Sequence, residues 1–180
     1  MRNKFMISFC IAIVLVGCSS KAKEQNNVTE LQQAPQIEVA AEGKKAPDFT
    51  LNDPKGNPIS LSSLRGKYVV LDFWGSWCRW CIKGIPDMKA YYKKYQGKFE
   101  ILSIDFGDTK ERWLNAIEEN GINWMNVITD EKSAKELQTL YAIQGFPTKV
   151  IIDPKGKIVK IVVGEDPIFY TFLDELFQNP

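Results

Sequence analysis

Apolar and polar positions divide this chain into three stretches. Residues 5–16 are apolar apart from Ser8 and Cys10, and residues 19 to about 44 are polar with no helical or strand period. From Ala46 onward, apolar runs alternate with amphipathic segments. Tyr68–Trp74 is almost unbroken and rich in β-formers, as expected of a strand buried on both faces, and Phe99–Phe106 reads the same way. Met125–Ile128, Lys149–Ile152 and Ile158–Val163 are shorter strand candidates. Between them lie helical patterns. In Cys78–Tyr95 the residues Ile85, Met88, Tyr92 and Tyr95 recur at spacings of three and four, and Pro86 predicts an interruption and a kink. Lys110–Asn120 carries Trp113, Leu114 and Ile117 on one side and stops at Gly121. Glu131–Leu140 and Pro167–Phe177 complete the set.

Turn chemistry joins these elements. Asp53-Pro54-Lys55-Gly56-Asn57 predicts a hairpin between strands around Leu51 and Ile59, and Asp153-Pro154-Lys155-Gly156 predicts a second near the end. Ser62–Gly66 reads as a short helical turn closed by glycine. The order is a β-hairpin, then β-α-β-α-β-α, then a β-hairpin and a terminal helix. That order predicts an α/β fold, with a mixed central sheet, helices on both faces and an N-terminal β-hairpin.

Charge sharpens the reading of the N-terminus. Arg2 and Lys4 precede the apolar run, which is shorter than the roughly 20 residues needed to span a bilayer. It fits a secretory signal of residues 1–17. Leu15-Val16-Gly17-Cys18 resembles a bacterial lipobox, which implies lipidation of Cys18 at the mature N-terminus. Residues 18–44 are then a lipidated terminus and flexible tether, and 45–180 the folded domain. Cys10 leaves with the signal, and the mature net charge falls from +1 to −1. Neither value suggests nucleic-acid binding. The 180 residues contain no histidine, which excludes Ser-His and Cys-His nucleophiles and imidazole metal ligands.

The remaining cysteines, Cys78 and Cys81, form a C-x-x-C pair where a buried strand hands over to a helix. Residues three apart in a first turn share a side, so a disulfide is within reach. Cys78 falls at the helix N-terminus, where unpaired N–H groups and the macrodipole favour a thiolate. Cys81 lies one turn inside and is expected to be the more buried. Cys78 thiolate could then attack a disulfide, and Cys81 could resolve the mixed disulfide. A structural disulfide and a thiolate metal site are the plainer readings of the same pair. The first constrains the unfolded chain little, and the second lacks the usual further zinc ligands.

Leu71-Asp72-Phe73-Trp74-Gly75-Ser76-Trp77-Cys78-Arg79-Trp80-Cys81 resembles the active-site strand and helix of the thioredoxin superfamily. Ala46-Pro47-Asp48-Phe49, the run Leu61–Val70 and Gly145-Phe146-Pro147-Thr148 are similar to its exported TlpA-like and ResA-like branch, over about residues 45–180. The resemblance implies a thioredoxin-like fold and a thiol–disulfide oxidoreductase whose redox group is the Cys78–Cys81 disulfide, without another cofactor or a metal. It implies that Pro147 is cis and that the Phe146 backbone faces bound substrate. Asp72 would be a buried acid that takes the Cys81 proton, with Trp77, Arg79 and Trp80 around the docking surface. Gly84 departs from the branch, many of whose members carry a glutamate at that position.

The implied partners are disulfide-containing envelope proteins, a membrane thiol electron donor and, through acylated Cys18, the lipid bilayer. The implied location is the bacterial cell envelope, facing periplasm or exterior. Reduction is the expected direction, with apocytochromes or damaged proteins as possible clients. The alternatives are a dithiol oxidase, a copper-binding chaperone and a thiol peroxidase. The last is suggested by Ala46-Pro47-Asp48-Phe49, but Gly75 and Leu71 stand where that chemistry expects a hydroxyl and a proline.

Overall fold

The computed structural model describes residues 39–178. The signal segment, Cys10, Cys18 and most of the expected tether lie outside the described residues. Strands β1 (Thr50–Asn52) and β2 (Pro58–Ser60) form the N-terminal hairpin, and a short 3-10 helix, Leu61–Leu64, follows. Then come β3 (Tyr68–Trp74), α1 (Arg79–Lys94), β4 (Phe99–Asp105), α2 (Lys110–Glu119), β5 (Met125–Ile128) and α3 (Glu131–Leu140). A second hairpin, β6 (Thr148–Ile152) and β7 (Ile158–Val163), leads to α4 (Ile168–Gln178). The expected interruption at Pro86 does not occur: α1 runs through it as one helix.

The seven strands among the described residues join one mixed sheet in the order β2-β1-β5-β4-β3-β6-β7. β3 lies parallel to β4 and antiparallel to β6, and all but its first residue are buried. One face packs Leu71, Phe73, Leu102 and Ile104 against Leu137 and Tyr141 at the end of α3. The other packs Val70, Trp74 and Ile101 against α1, α2 and α4 through Ile85, Met88, Trp113 and Phe169. Helices therefore cover both faces. The parallel strands end together at Trp74, Asp105 and Ile128, and β6, running the other way, begins at that same edge, where Phe73 pairs with Thr148. Loops that are distant in sequence meet there, outside the carboxyl ends of the strands.

The two Asp-Pro-Lys-Gly strings adopt one turn twice. Asp53 Oδ1 accepts from the N–H groups of Lys55 and Asn57, and Asp153 Oδ1 from those of Lys155 and Lys157. Gly56 and Gly156 sit at φ 87° and 88°, the left-handed conformation that glycine adopts without a Cβ clash. The folded part also starts earlier than Lys45. Ala40 is buried and its N–H donates to Leu140 O, while Gly43 and Lys44 exchange backbone hydrogen bonds with Ile158. This stretch lies along the β7 edge, where its backbone groups find partners that the polar sequence gave no sign of.

α3 ends in a Schellman arrangement: Ile143 N–H donates to Gln138 O and Ala142 N–H to Thr139 O. The left-handed residue of that motif is Ala142, at φ 48°. An L-residue with a Cβ pays about 1–2 kcal/mol there, which glycine avoids at some cost in unfolded-chain entropy. Ala142→Gly is expected to raise the unfolding free energy by about 1 kcal/mol, read as a higher urea midpoint at unchanged slope. A lower midpoint would show that the conformation is unstrained.

Candidate active site

β3 delivers its last residue, Trp74, to a three-residue loop, Gly75-Ser76-Trp77, that opens α1 at Cys78. Cys78 is the N-cap, with extended backbone, and Cys78 and Cys81 form a disulfide with a Cα–Cα distance of 5.2 Å. The Cys81 N–H donates to Cys78 Sγ at 3.1 Å. One of the helix's unpaired donors is thus already aimed at the sulfur that would carry charge after reduction. The two residues are almost equally exposed, 6% and 5%, so the expected difference in burial is not seen. Their inequality lies in position, Cys78 at the helix end and Cys81 inside the first turn.

The loop is held from β4 and the residues after it. Ser76 donates to Asp108 twice, from its N–H at 2.7 Å and from its hydroxyl at 2.8 Å. Arg112 pairs with Asp108 at 3.3 Å. Trp77 is half exposed, and its indole N–H donates to Phe106 O at 2.7 Å. Gly75 makes this possible, because a Cβ there would stand 2.4 Å from Trp77 Nε1 and 2.9 Å from Phe106 O. The Phe146–Pro147 peptide bond is cis, and Phe146 lies edge-on to Trp77 with centroids 5.2 Å apart. The loop is braced by Thr148 Oγ1 donating to Gly145 O and Gly164 N–H donating to Pro147 O. Trp77 and Phe146 therefore come together, while Trp80 and Arg79 face outward. Trp80 is 58% exposed, with Lys83 Nζ 4.9 Å from its ring centroid.

Asp72 is buried on the α1 side of β3, in line with Val70 and Trp74. Ser103 Oγ, its direct partner on β4, donates to it at 2.9 Å and accepts from Trp124 Nε1 at 2.8 Å. The indole thereby fixes the direction of the hydroxyl proton. Burial pushes the Asp72 carboxyl above the ordinary range, while Lys149 and the Ser103 hydrogen bond pull it back.

Three neighbours of this acid escaped the sequence reading. Lys149 pairs with Asp72 in the β3–β6 register and is only 1% exposed. Its ammonium meets Glu165 Oε2 at 2.8 Å, and Tyr170 donates its hydroxyl to Glu165 Oε1 at 2.9 Å. Lys149 could have been found, since a charge inside the apolar strand Thr148–Ile152 demands a buried partner. Glu165, in the loop before α4, carries no such signal. It occupies the space beside Gly84, where a Cβ would lie 2.3 Å from its carboxylate. A further missed acid is Asp105, fully buried beneath the Ser76 loop. Burial, together with the hydrogen bond to and charge of Asp108, pushes its carboxyl up to about 8.

Comparison with known proteins gives a consistent picture. Residues 42–161 match the AhpC/TSA family. The chain is 38% identical over 165 residues to the thiol-disulfide oxidoreductase ResA of Bacillus anthracis, covering 91% of this chain and 90% of that protein. It is 37% identical over 128 residues to ResA of Bacillus subtilis, covering 71% of this chain and 70% of that one. The crystal structure of the thioredoxin domain of a thiol-disulfide oxidoreductase from Bacteroides vulgatus superposes with a TM-score of 0.70 at 36% identity, over 78% of this chain and all of that one.

Asp105 yields a pH prediction. Folded, it keeps its proton up to about 8; unfolded, it releases it near 3.8. Between those values the native state binds more protons, so stability falls as pH rises through that window. The urea midpoint is expected to drop between about pH 5.5 and about pH 8.5, and Asp105→Asn is expected to remove most of that drop. An unchanged slope in the variant would assign the drop to another group.

Proposed function

The chain belongs to the AhpC/TSA family and is a thiol–disulfide oxidoreductase, and from that premise we propose that Cys78 and Cys81 are its redox pair and that it reduces disulfides of envelope proteins. The observation that carries the reading is the disulfide at the N-terminus of α1, with the Cys81 N–H directed at Cys78 Sγ. Once the pair is reduced, Cys78 thiolate attacks a client disulfide, and one client sulfur leaves. Cys81 gives its proton to Asp72 and attacks Cys78 Sγ, which re-forms the Cys78–Cys81 bond and releases the second client thiolate. Two electrons pass from the protein dithiol to the client disulfide. Burial raises the proton affinity of Asp72, which suits a proton acceptor.

Client contacts are assigned to Trp77, Phe146 and Pro147, with Trp80 and Arg79 on the rim. A positive charge beside the thiolate would stabilise the reduced form and make the protein more oxidising, but Arg79 is exposed, so water and salt screen it. That weakens the case for a strongly oxidising protein. A peroxidase reading needs a hydroxyl three residues before Cys78, and Gly75 has no room for one while Trp77 holds its place. The N-terminal pattern Arg2, Lys4 and Gly17-Cys18 supports export and acylation of Cys18, hence a position on the envelope membrane and a membrane thiol carrier as electron donor. The helices among the described residues include none long and apolar enough to cross a bilayer.

Three outcomes test this. Cys78→Ser is expected to abolish exchange, while Cys81→Ser accumulates a mixed disulfide with a client or with glutathione. Asp72→Asn is expected to slow resolution by about 10- to 100-fold while leaving the first attack within about twofold; equal slowing of both steps would remove Asp72 from the proton path. The reduction potential of the pair is expected near or below about −250 mV, measured against dithiothreitol or glutathione. A value near about −120 mV would reverse the direction of electron flow.

A further inference from the structure

Beneath the disulfide lies a set of charges that the exchange chemistry does not by itself require. Lys149 places an ammonium in the sheet interior, directly across the ladder from Asp72. Yet its ion pair, at 2.8 Å, is made with Glu165, which arrives from the loop between β7 and α4. Glu165 is fixed on its other oxygen by Tyr170. It also faces an open groove lined by Trp80, Lys83, Asp87, Tyr91 and Tyr170. The carboxylate can reach this position only because α1 has glycine at residue 84, one turn beyond Cys81. A helix interior ordinarily disfavours glycine, so the space is built at the expense of the helix.

We propose that Glu165, seated in the space beside Gly84, is a positioning residue that sets how readily Asp72 takes the Cys81 proton, by engaging the Lys149 ammonium that Asp72 would otherwise hold to itself. The inference rests on the reading of Asp72 as the proton acceptor. In the step concerned, the Cys81 S–H bond breaks, its proton goes to Asp72, the Cys81 sulfur bonds to Cys78, and the Cys78–client bond breaks with the electron pair leaving on the client sulfur. Four elements bring polar or charged groups to Asp72: Ser103 from β4, Lys149 from β6, Glu165 from the β7–α4 loop and Tyr170 from α4. The two formal charges among them act in opposite senses, Lys149 drawing the proton affinity of Asp72 down and Glu165 driving it up. A paired ammonium favours the Asp72 carboxylate less than a free one.

The test uses the full chain and oxidised glutathione as probe. Resolution of the Cys78–glutathione mixed disulfide is followed as glutathione release across pH. Asp72→Asn identifies the limb that belongs to Asp72 by abolishing it. Glu165→Gln is expected to move that limb down by about one pH unit, and Lys149→Met to move it up by at least as much. Gly84→Ala, which displaces the Glu165 carboxylate, is expected to follow Glu165→Gln, and the first attack stays within about twofold in Glu165→Gln and Gly84→Ala. A merely structural role would lower rates without shifts of opposite sign. If Lys149→Met does not fold, the downward shifts in the other two variants carry the test. A limb lost in Asp72→Asn but unmoved by Glu165→Gln overturns the role of Glu165 alone. A limb that survives Asp72→Asn overturns the acceptor assignment and this inference with it.

Discussion

A buried ammonium governs the ground beneath the disulfide. Stripping Lys149 of water carries a penalty of several kcal/mol, which the fold offsets only by supplying a carboxylate in contact. Asp72 is opposite it in register, but the contact is made by Glu165. Much follows from that choice. The β7–α4 loop must turn inward, α1 must lack a side chain at Gly84, and Asp72 is left as a buried acid with one hydroxyl donor, Ser103, and incomplete charge compensation. An acid in that condition holds its proton more tightly than one in water, as an acceptor for a thiol proton must.

The sheet's strand directions do the rest. Parallel β3, β4 and β5 end at one edge, and antiparallel β6 starts there. The α1 N-terminus, the Ser76–Asp108 clamp and the cis Phe146–Pro147 bond therefore converge without any long excursion of the chain. Each brings a different resource: backbone donors, a fixed loop, and an aromatic wall.

Most of this order could be read from the residues. β3 and β4 announce themselves because strands buried on both faces become nearly continuous apolar runs, and α1 shows through its three-and-four spacing. The cysteine pair is legible from its place between strand and helix. Other features are written in no local pattern. Glu165 looks like any solvated loop acid, since only the folded chain brings Lys149 to it. The docking of residues 40–44 runs largely through backbone groups, which every sequence possesses. Pro86 signals a break, but α1 runs through it with Pro86 on the helix's exposed side. Asp105 reads as the polar end of a strand, and its isolation from water depends on Asp108 and the loop above.

Phe146 packs against both hydrophobic layers, one on each side of the sheet, while its ring also meets Trp77 and Phe106. The aromatic on which a client would rest is therefore keyed into the whole interior rather than borne on a loose loop. Such a surface is stiff. It surrenders little motional freedom when something presses on it, so the free energy of contact is available for aligning sulfur with sulfur instead of for ordering the protein.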